Sequence, residues 1–356
     1  MSEMKKAWLL LQDGTLLTGK NFGAAGTVIG EVVFSTAMTG YQEALSDPNY
    51  YGQIMIQTFP MMGNYGVNSE DFSGKCFMKG CIVREWCDAP SNFRCEGDIN
   101  TFLKEQGIIG LCDLDTRSLT AKLRDNGTMN GMITTEEITD IPAALDKLKA
   151  YKIENAVAAV TAETPAVAAP EKANGKKVAV LNLGSTSSAV NELLSRGCEV
   201  TLHTVDEGID AFAGADGVLL SEGPGDPAEN TTAVELIRAL IEKKIPLFGI
   251  GLGHQLLAIA NGAVTEKLPY GHRGASQPVI DLRSHKTYPT SQNHGYVVVR
   301  LPENVGTVSH QNVNDKSCEG IRYTAIPALS VQFRPVGPGA GQDTGYLFDE
   351  FLGLMA

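Results

Sequence analysis

Short apolar runs alternate with turn residues along the first part of the chain. The runs occupy residues 7–11, 29–34, 53–59, 80–83 and 131–133. Glycine, proline and aspartate separate them, and this punctuation predicts β-strands. Two stretches, 98–106 and 115–126, instead show helical spacing. We therefore expect a β-rich α/β domain in this half of the chain.

The pattern changes twice in the middle of the chain. Residues 134–155 return to helical spacing, with acidic residues near their start. Residues 156–176 are rich in alanine, contain Pro170 and hold no clear period, which is typical of a linker. The sequence therefore predicts one domain over residues 1–155, a linker over 156–176 and a second domain over 177–356.

Strand and helix patterns alternate in the second domain. Apolar strand patterns occupy 178–183, 199–203, 217–220 and 245–250, and helical patterns occupy 189–195, 232–243 and 254–261. This order predicts a mainly parallel central sheet covered by helices, with further strands within 277–333. Ligands bind such sheets beyond the carboxyl ends of the strands. Two glycine-rich loops fall there, at 221–227 and 249–253, although glycine content alone fits tight turns equally well.

Composition and charge exclude several classes of protein. Of the 356 residues, 43% are hydrophobic and 20% are charged, which is ordinary for a soluble globular protein. The net charge of −12 gives no electrostatic support for nucleic-acid binding. No apolar run approaches the length of a membrane span, and the run at 7–11 is too short for a signal peptide. We expect a cytoplasmic protein.

Four of the seven cysteines lie close together in the first domain and raise the question of a metal site. They are Cys76, Cys81, Cys87 and Cys95, with gaps of four, five and seven residues. Zinc sites usually have more closely paired cysteines. We therefore expect ordinary reduced thiols and no metal, which an odd number of cysteines also favours.

Motifs in both domains resemble one enzyme family. Residues 248–255, FGIGLGHQ, and residues 223–227, GPGDP, resemble the nucleophile elbow and the oxyanion loop of class I glutamine amidotransferases. Residues 291–296, SQNHGY, are similar to a segment of the carbamoyl-phosphate synthetase small subunit. Residues 30–43 and 113–117 resemble the amino-terminal domain of that same subunit. The chain is thus identified as a divergent member of this small-subunit family, from about residue 7 to its end.

The resemblance implies a fold, a reaction and a partner. In this family a C-terminal class I amidotransferase domain hydrolyses glutamine, and the ammonia passes through a tunnel to a large subunit. The large subunit makes carbamoyl phosphate from bicarbonate with ATP. The resemblance therefore implies the large subunit as partner and glutamine as a possible ligand. It implies no cofactor in this chain, since ATP and Mg²⁺ are expected only in the large subunit.

The three groups of the family's catalytic triad are missing. The cysteine position is Gly251, the histidine position is Arg334 and the glutamate position is Val336. Glycine offers no nucleophile, arginine stays protonated near neutral pH, and valine cannot orient a base. Loss of the whole triad of subtilisin costs about 10⁶-fold in turnover. The sequence therefore predicts that glutamine hydrolysis is lost.

Other positions match the glutamine-contacting residues of the family. By resemblance these are Asn49, Gly223, Gly225, Leu252, Gln255, Asn293, Gly295 and Tyr296. The resemblance implies that Gly223 and Leu252 would supply the N–H groups of an oxyanion hole. Asn49 stands where the family usually has serine, and Glu222 stands where it usually has asparagine.

Two unusual charges fall near the same predicted cleft. One hypothesis is that Glu222 and Arg334 form an ion pair that fills the vacated space, since carboxylate and guanidinium groups fit each other well. The alternative is that both point to solvent and interact little. His254, His272 and His294 also lie near the motifs, and we expect structural roles for them.

Three functions remain open from the sequence. The chain docks on a large subunit and the complex uses free ammonia, or it is a non-catalytic glutamine sensor or regulatory decoy. The third possibility, hydrolysis by a rearranged site, ranks last because a nucleophile must be placed with near-ångström accuracy.

Overall fold

The computed structural model describes residues 5–72, 74–161, 167–185, 187–337 and 343–355. The chain divides into two compact units, the first ending at Glu154 and the second beginning at Asn155. Within the described residues, no helix combines the length and the apolar character that crossing a bilayer would require.

The first unit is built around a closed barrel. Its strands are β1 (Lys6–Leu11), β2 (Leu16–Gly23), β3 (Thr27–Ser35), β4 (Gln53–Gln57), β5 (Met61–Met62), β6 (Gly80–Ile82), β7 (Glu85–Trp86), β8 (Ile109–Cys112) and β9 (Met129–Thr134). Its helices are α1 (Tyr41–Leu45), α2 (Ile99–Glu105), α3 (Thr116–Asn126) and α4 (Ile141–Ala150). The barrel order is β1-β2-β8-β6-β4-β3-β9, and β3, β4, β6 and β8 run parallel. The predicted β-rich domain is confirmed.

The alternation of side chains along β1 explains its unbroken apolar run. Leu9 and Leu11 are fully buried in one hydrophobic cluster that spans several strands of the barrel. Leu10 points to the opposite face, where it packs with Ala144 and Leu148 of α4. A strand that is covered on both faces needs apolar residues at every position.

Aspartate caps fix where the helices begin. The Asp98 carboxylate accepts a hydrogen bond from the Thr101 N–H at 2.9 Å, and Asp115 accepts one from the Ser118 N–H at 3.0 Å. Such caps satisfy N–H groups that the first turn of a helix leaves without partners. The two helices predicted at 98–106 and 115–126 are confirmed as α2 and α3.

The second unit is a ten-stranded sheet with helices on both faces. Its helices are α5 (Ala156–Thr161), α6 (Ser187–Ser195), α7 (Thr231–Glu242), α8 (Leu252–Ala260) and α9 (Tyr346–Leu354). Its strands are β10 (Val167–Ala168), β11 (Lys177–Leu181), β12 (Glu199–His203), β13 (Gly217–Leu220), β14 (Leu247–Ile250), β15 (Val264–Asp281), β16 (Thr287–Arg300), β17 (Gly306–Asn312), β18 (Cys318–Tyr323) and β19 (Ala328–Val331). The strand order is β10-β12-β11-β13-β14-β19-β18-β17-β15-β16.

The sheet is mixed rather than mainly parallel. Strands β12, β11, β13, β14 and β19 are parallel, as the alternating pattern predicts. Strands β15 to β18 extend the sheet in antiparallel fashion. The sequence hides the long β15–β16 hairpin because glycine and proline interrupt β15, and the hairpin register shifts between Lys267 and His272 and between Gly274 and Gln277.

The predicted linker carries secondary structure of the second unit. Helix α5 buries Ala156 and Val157, and β10 pairs antiparallel with β12. Residues 162–166 lie outside the described residues. The segment predicted as a linker over 156–176 thus contains α5 and β10, and its role as a domain boundary stays a prediction. A helix this short has too few turns to show a period, and its burial depends on tertiary packing.

Phe248 of β14 lies at the centre of the second unit. Its ring is fully buried and packs edge-on against Phe348 of α9, with ring centroids 5.3 Å apart. The ring of Phe351 lies 5.6 Å away on the same helix. The C-terminal helix is thus attached to the sheet directly below the end of β14.

We expect Phe248→Ala to lower the free energy of unfolding by about 3–5 kcal/mol, because it leaves a cavity between β14 and α9. Urea unfolding followed by far-ultraviolet circular dichroism measures this change. Phe93→Ala is the matched control, since Phe93 is 95% exposed. A Phe248 variant as stable as this control would contradict the packing described.

Candidate functional site

A sharp turn between β14 and α8 places Gly251 at the carboxyl edge of the parallel strands. Gly251 has φ 58° and ψ −114°, a left-handed conformation that glycine adopts without steric cost. Its N–H donates to the Val331 carbonyl of β19 at 2.9 Å, and the Gly253 N–H donates to the Ser221 carbonyl at 3.0 Å. The strands on both sides of β14 therefore hold this turn in place.

The side chain of Glu222 lies directly over Gly251. A Cβ atom added to Gly251 would lie 3.1 Å from Glu222 Cγ and 3.4 Å from Glu222 Cβ. Contacts this close require the neighbour to move by a few tenths of an ångström. A side chain at position 251 therefore needs Glu222 to shift.

Glu222 and Arg334 form the ion pair that the sequence raises as a hypothesis. Arg334 Nε donates to Glu222 Oε2 at 2.6 Å, and the two side chains are only 15% and 14% exposed. The Arg334 N–H also donates to the Ser291 carbonyl at 2.9 Å. The hypothesis is confirmed, and the alternative of two solvent-facing charges is wrong.

Val336 supplies an apolar contact. It is partly buried and packs against a hydrophobic cluster that includes Val331 and Phe348. Its side chain has no hydrogen-bonding group, so it cannot orient a base.

The two glycines of the loop after β13 lie where a side chain would not fit. A Cβ on Gly223 would lie 2.2 Å from the Leu183 carbonyl oxygen and 3.0 Å from Leu252 Cδ2. A Cβ on Gly225, whose φ is +92°, would lie 2.8 Å from Ala156 Cβ. The structure thus brings Gly223 next to Leu252, the two positions expected to donate N–H groups, and covers Gly225 with α5.

Gln255 connects α8 to β16 and to the segment that follows β19. Its Nε2 atom donates to the Tyr296 carbonyl at 2.7 Å and to Gln332 Oε1 at 2.9 Å. Asn293 and Gly295 lie beside Tyr296 on β16. These four predicted positions therefore meet where β16 passes α8.

Asn49 lies in the first unit and is buried there. Its N–H donates to the Asp47 carboxylate at 3.0 Å within a short 3₁₀ turn. A role for Asn49 in binding glutamine stays a prediction.

Known protein families match the sequences of both units. Residues 9–133 match the carbamoyl-phosphate synthase small chain, CPSase domain, and residues 179–354 match the class I glutamine amidotransferase family. The carbamoyl phosphate synthase small chain of Clostridium perfringens is 44% identical over 98% of this chain and 99% of its own length. That of Bacillus caldolyticus is 43% identical over 98% and 96%. The chain belongs to the carbamoyl-phosphate synthase small-chain family.

Among solved structures, a glutamine amidotransferase from Thermotoga maritima is 17% identical and covers 50% of this chain and 84% of its own, with a TM-score of 0.39. The small-chain family accounts for the two-domain architecture, with a class I amidotransferase domain at the C-terminus. The second unit of the present chain is this class I amidotransferase domain.

His254 follows the elbow but cannot serve as a base. It is fully buried in α8, and Nδ1 lies 2.7 Å from the Ser330 hydroxyl. Burial lowers the pKa of His254 to about 3, so the ring is neutral. The expected structural role is supported.

In the second unit, strands β15, β16 and β18 bring together a polar cluster of three side chains, His272, His294 and Glu319. Their potential ligand atoms all lie within 4.8 Å of one another, so the cluster has the composition of a metal site. However, the Gln292 amide contacts all three groups: Oε1 lies 3.1 Å from His272 Nδ1 and 2.8 Å from His294 Nε2, and Nε2 donates to Glu319 at 3.0 Å. The amide takes the central position, and we interpret the cluster as structural.

Of the two histidines in this cluster, His272 is the one that carries a charge. Burial alone would lower the pKa of His272, but hydrogen bonds to Asp315 and Glu319 outweigh it and raise the pKa to about 9. Burial and the neighbouring charge of His272 hold the pKa of His294 well below its usual range. Sequence reasoning misses Gln292, Asp315 and Glu319 because no motif connects them.

Neither cysteine of the second unit lies on the turn between β14 and α8. Cys198 comes just before β12, at the amino edge of the parallel strands and therefore opposite the elbow. Burial raises the pKa of the Cys318 thiol to about 12, which keeps it protonated and unreactive.

Breaking the Glu222–Arg334 pair should reveal strong coupling between the two side chains. We expect a double-mutant cycle with Glu222→Ala and Arg334→Ala to give a coupling free energy of about 1–3 kcal/mol, because removal of one partner leaves the other charge half-buried. Chemical denaturation of the four proteins measures it. The same cycle on the exposed Arg124–Asp125 pair is the control and should show almost none. Equal coupling in the two pairs would refute the expectation.

The His272 cluster predicts a pH-dependent contribution to stability. Because the pKa of His272 is raised in the folded state, its contribution is fully present below about pH 6.5 and is lost as pH rises through about 9. The difference in unfolding free energy between the native chain and His272→Gln should fall by about 1–3 kcal/mol between pH 6 and pH 10. His285→Gln, at an exposed position, is the control. A constant His272 difference across this range would contradict the charged state.

Proposed function

We propose that this chain is the small subunit of a carbamoyl-phosphate synthase that uses free ammonia, because its own amidotransferase site no longer cleaves glutamine. One observation carries this proposal: the Glu222 side chain, paired with Arg334, covers Gly251. A nucleophilic side chain at position 251 would require Glu222 to shift, and the position of the base is held by a permanent cation.

The chemistry of amide hydrolysis supports the proposal. A nucleophile must attack the amide carbon, a base must accept and return a proton, and N–H groups must stabilise the oxyanion. The adjacent positions Gly223 and Leu252 would supply only the last of these. An oxyanion hole and a pocket alone leave a residual acceleration of roughly 10³–10⁴ over water. Such a rate is too low to supply a biosynthetic enzyme.

The proposed subunit contributes docking and architecture, and the large subunit contributes the ATP and Mg²⁺ chemistry. Full-length similarity to small chains supports this division, since both units match that family. A cytoplasmic location is part of the same proposal, because a biosynthetic synthase works where ATP is available.

The second candidate function is glutamine binding without cleavage, as a sensor or regulatory subunit. The close approach of the Gly223 loop to Leu252 favours it, since this loop would present N–H groups to a carbonyl oxygen. Isothermal titration calorimetry with glutamine distinguishes the two: millimolar or tighter binding without turnover supports a sensor.

The complex of this chain with its large subunit should synthesise carbamoyl phosphate from ammonium but not from glutamine. We expect glutamine-dependent turnover at least about 10⁴-fold below ammonium-dependent turnover, since the triad is absent. Coupled assays of carbamoyl phosphate and glutamate release measure both rates. Comparable rates with the two nitrogen sources would refute the proposal.

Restored variants are the matched controls for this assay. Gly251→Cys alone should stay inactive, because the new Cβ meets Glu222 and no base is present. The combination of Gly251→Cys, Glu222→Asn, Arg334→His and Val336→Glu should gain glutamate release and covalent labelling by a glutamine analogue. Labelling of the unchanged chain would instead indicate a rearranged site.

A further inference from the structure

A basic cavity of about 600 Å³ opens on the first unit. Thr36 follows β3, Thr58 follows β4 and Arg84 follows β6, and all three line it. Because these strands are parallel, the residues that follow them meet at one edge of the barrel. Carboxyl ends of parallel strands are common binding positions.

Helix α3 forms another side of the cavity. Arg117, Thr120 and Arg124 lie at helical spacing and line the cavity together. Residues three and four apart share a helix face, so one face of α3 presents two guanidinium groups and a hydroxyl. With Arg84, the cavity contains three guanidinium groups.

Ion pairs within the chain neutralise little of the positive charge of these three arginines. Across the described ranges, neither Arg84 nor Arg117 forms an ion pair, and both are exposed. Arg124 contacts its sequence neighbour Asp125 at 3.0 Å, with both side chains about 60% exposed. Such an exposed pair is weak and easily exchanged. In a chain with a net charge of −12, this concentration of positive charge is unusual.

Large apolar side chains stand beside the lining residues. Met38, Phe59 and Met61 are 71%, 37% and 39% exposed, and each is within two residues of Thr36, Thr58 or Pro60 in the sequence. Methionine, aromatic residues and arginine are enriched in protein interfaces. Exposed apolar groups next to a basic cavity favour a protein surface over a small solute as the occupant.

We propose that this cavity receives carboxylate side chains of the large subunit and that the apolar residues beside it complete the docking surface. The inference rests on the proposed function, since it assigns a place and a chemistry to that partner. Arginine binds carboxylates through two parallel hydrogen bonds, and this geometry gives both orientation and charge complementarity.

Affinity measurements on purified full-length chains test the proposal. We expect Arg117→Glu to weaken binding of the large subunit at least about tenfold and to reduce its dependence on salt, because the cavity loses one positive charge and gains a carboxylate that repels those of the partner. Lys104→Glu makes the same charge change at an exposed site of the first unit outside the cavity lining, and it should stay within about twofold of the unchanged chain. Arg84→Glu provides a second test if Arg117→Glu fails to fold, as judged by circular dichroism.

The possible results distinguish a failure of the proposed docking surface from a failure of the proposed function. If the unchanged chain binds the large subunit and Arg117→Glu binds equally well, the docking surface is refuted and the subunit role stands. If the unchanged chain does not bind at all, the proposed function fails together with the docking surface. Saturable binding of inorganic phosphate that Arg117→Glu abolishes, with unchanged subunit affinity, would assign the cavity to small anions and overturn the proposal.

Discussion

The left-handed turn at Gly251 is the constraint on which the second unit's candidate site depends. N–H groups of this turn donate hydrogen bonds to the carbonyls of Val331 in β19 and of Ser221 just after β13, so the start of α8 is fixed against the sheet on both sides of β14. A residue with a Cβ atom in such a conformation stores strain that is kept where function requires it. Glycine removes that strain. The turn therefore keeps its shape as an element of the fold, although Gly251 has no side chain that could act as a nucleophile.

The charges around the turn follow from its electrostatics. The amino end of α8 carries a partial positive charge, which favours a carboxylate and disfavours an unpaired cation. Glu222 lies over Gly251, at that helix end, and Arg334 pairs with it. Without Glu222, the positive charge of Arg334 would lie largely buried near the positive end of α8, which is unfavourable. The two unusual residues therefore make sense as a pair rather than as independent changes.

Periodic segments could be predicted from the sequence, and segments that depend on tertiary packing could not. The patterns at 199–203 and 217–220 coincide with β12 and β13, since buried strands read as apolar runs. Helix α5 is too short to show a period, and glycine and proline conceal β15. At the site, the sequence motifs that follow the strands predicted that Glu222, Gly251 and Arg334 lie close together. The cluster around Gln292 escaped prediction because its members converge only through the register of β15 to β18.

Residues that match glutamine-contacting positions also have folding roles. Gln255 Nε2 donates to Tyr296 and Gln332, so its amide joins α8 to β16 and to the segment after β19. Gly223 is required because any Cβ there would overlap the Leu183 carbonyl. A buried amide that lost these partners would cost about 1–3 kcal/mol whether or not glutamine ever binds. Folding alone therefore accounts for the presence of Gln255 and Gly223, whereas the carboxylate and the guanidinium above Gly251 are explained by their pairing with each other next to the amino end of α8.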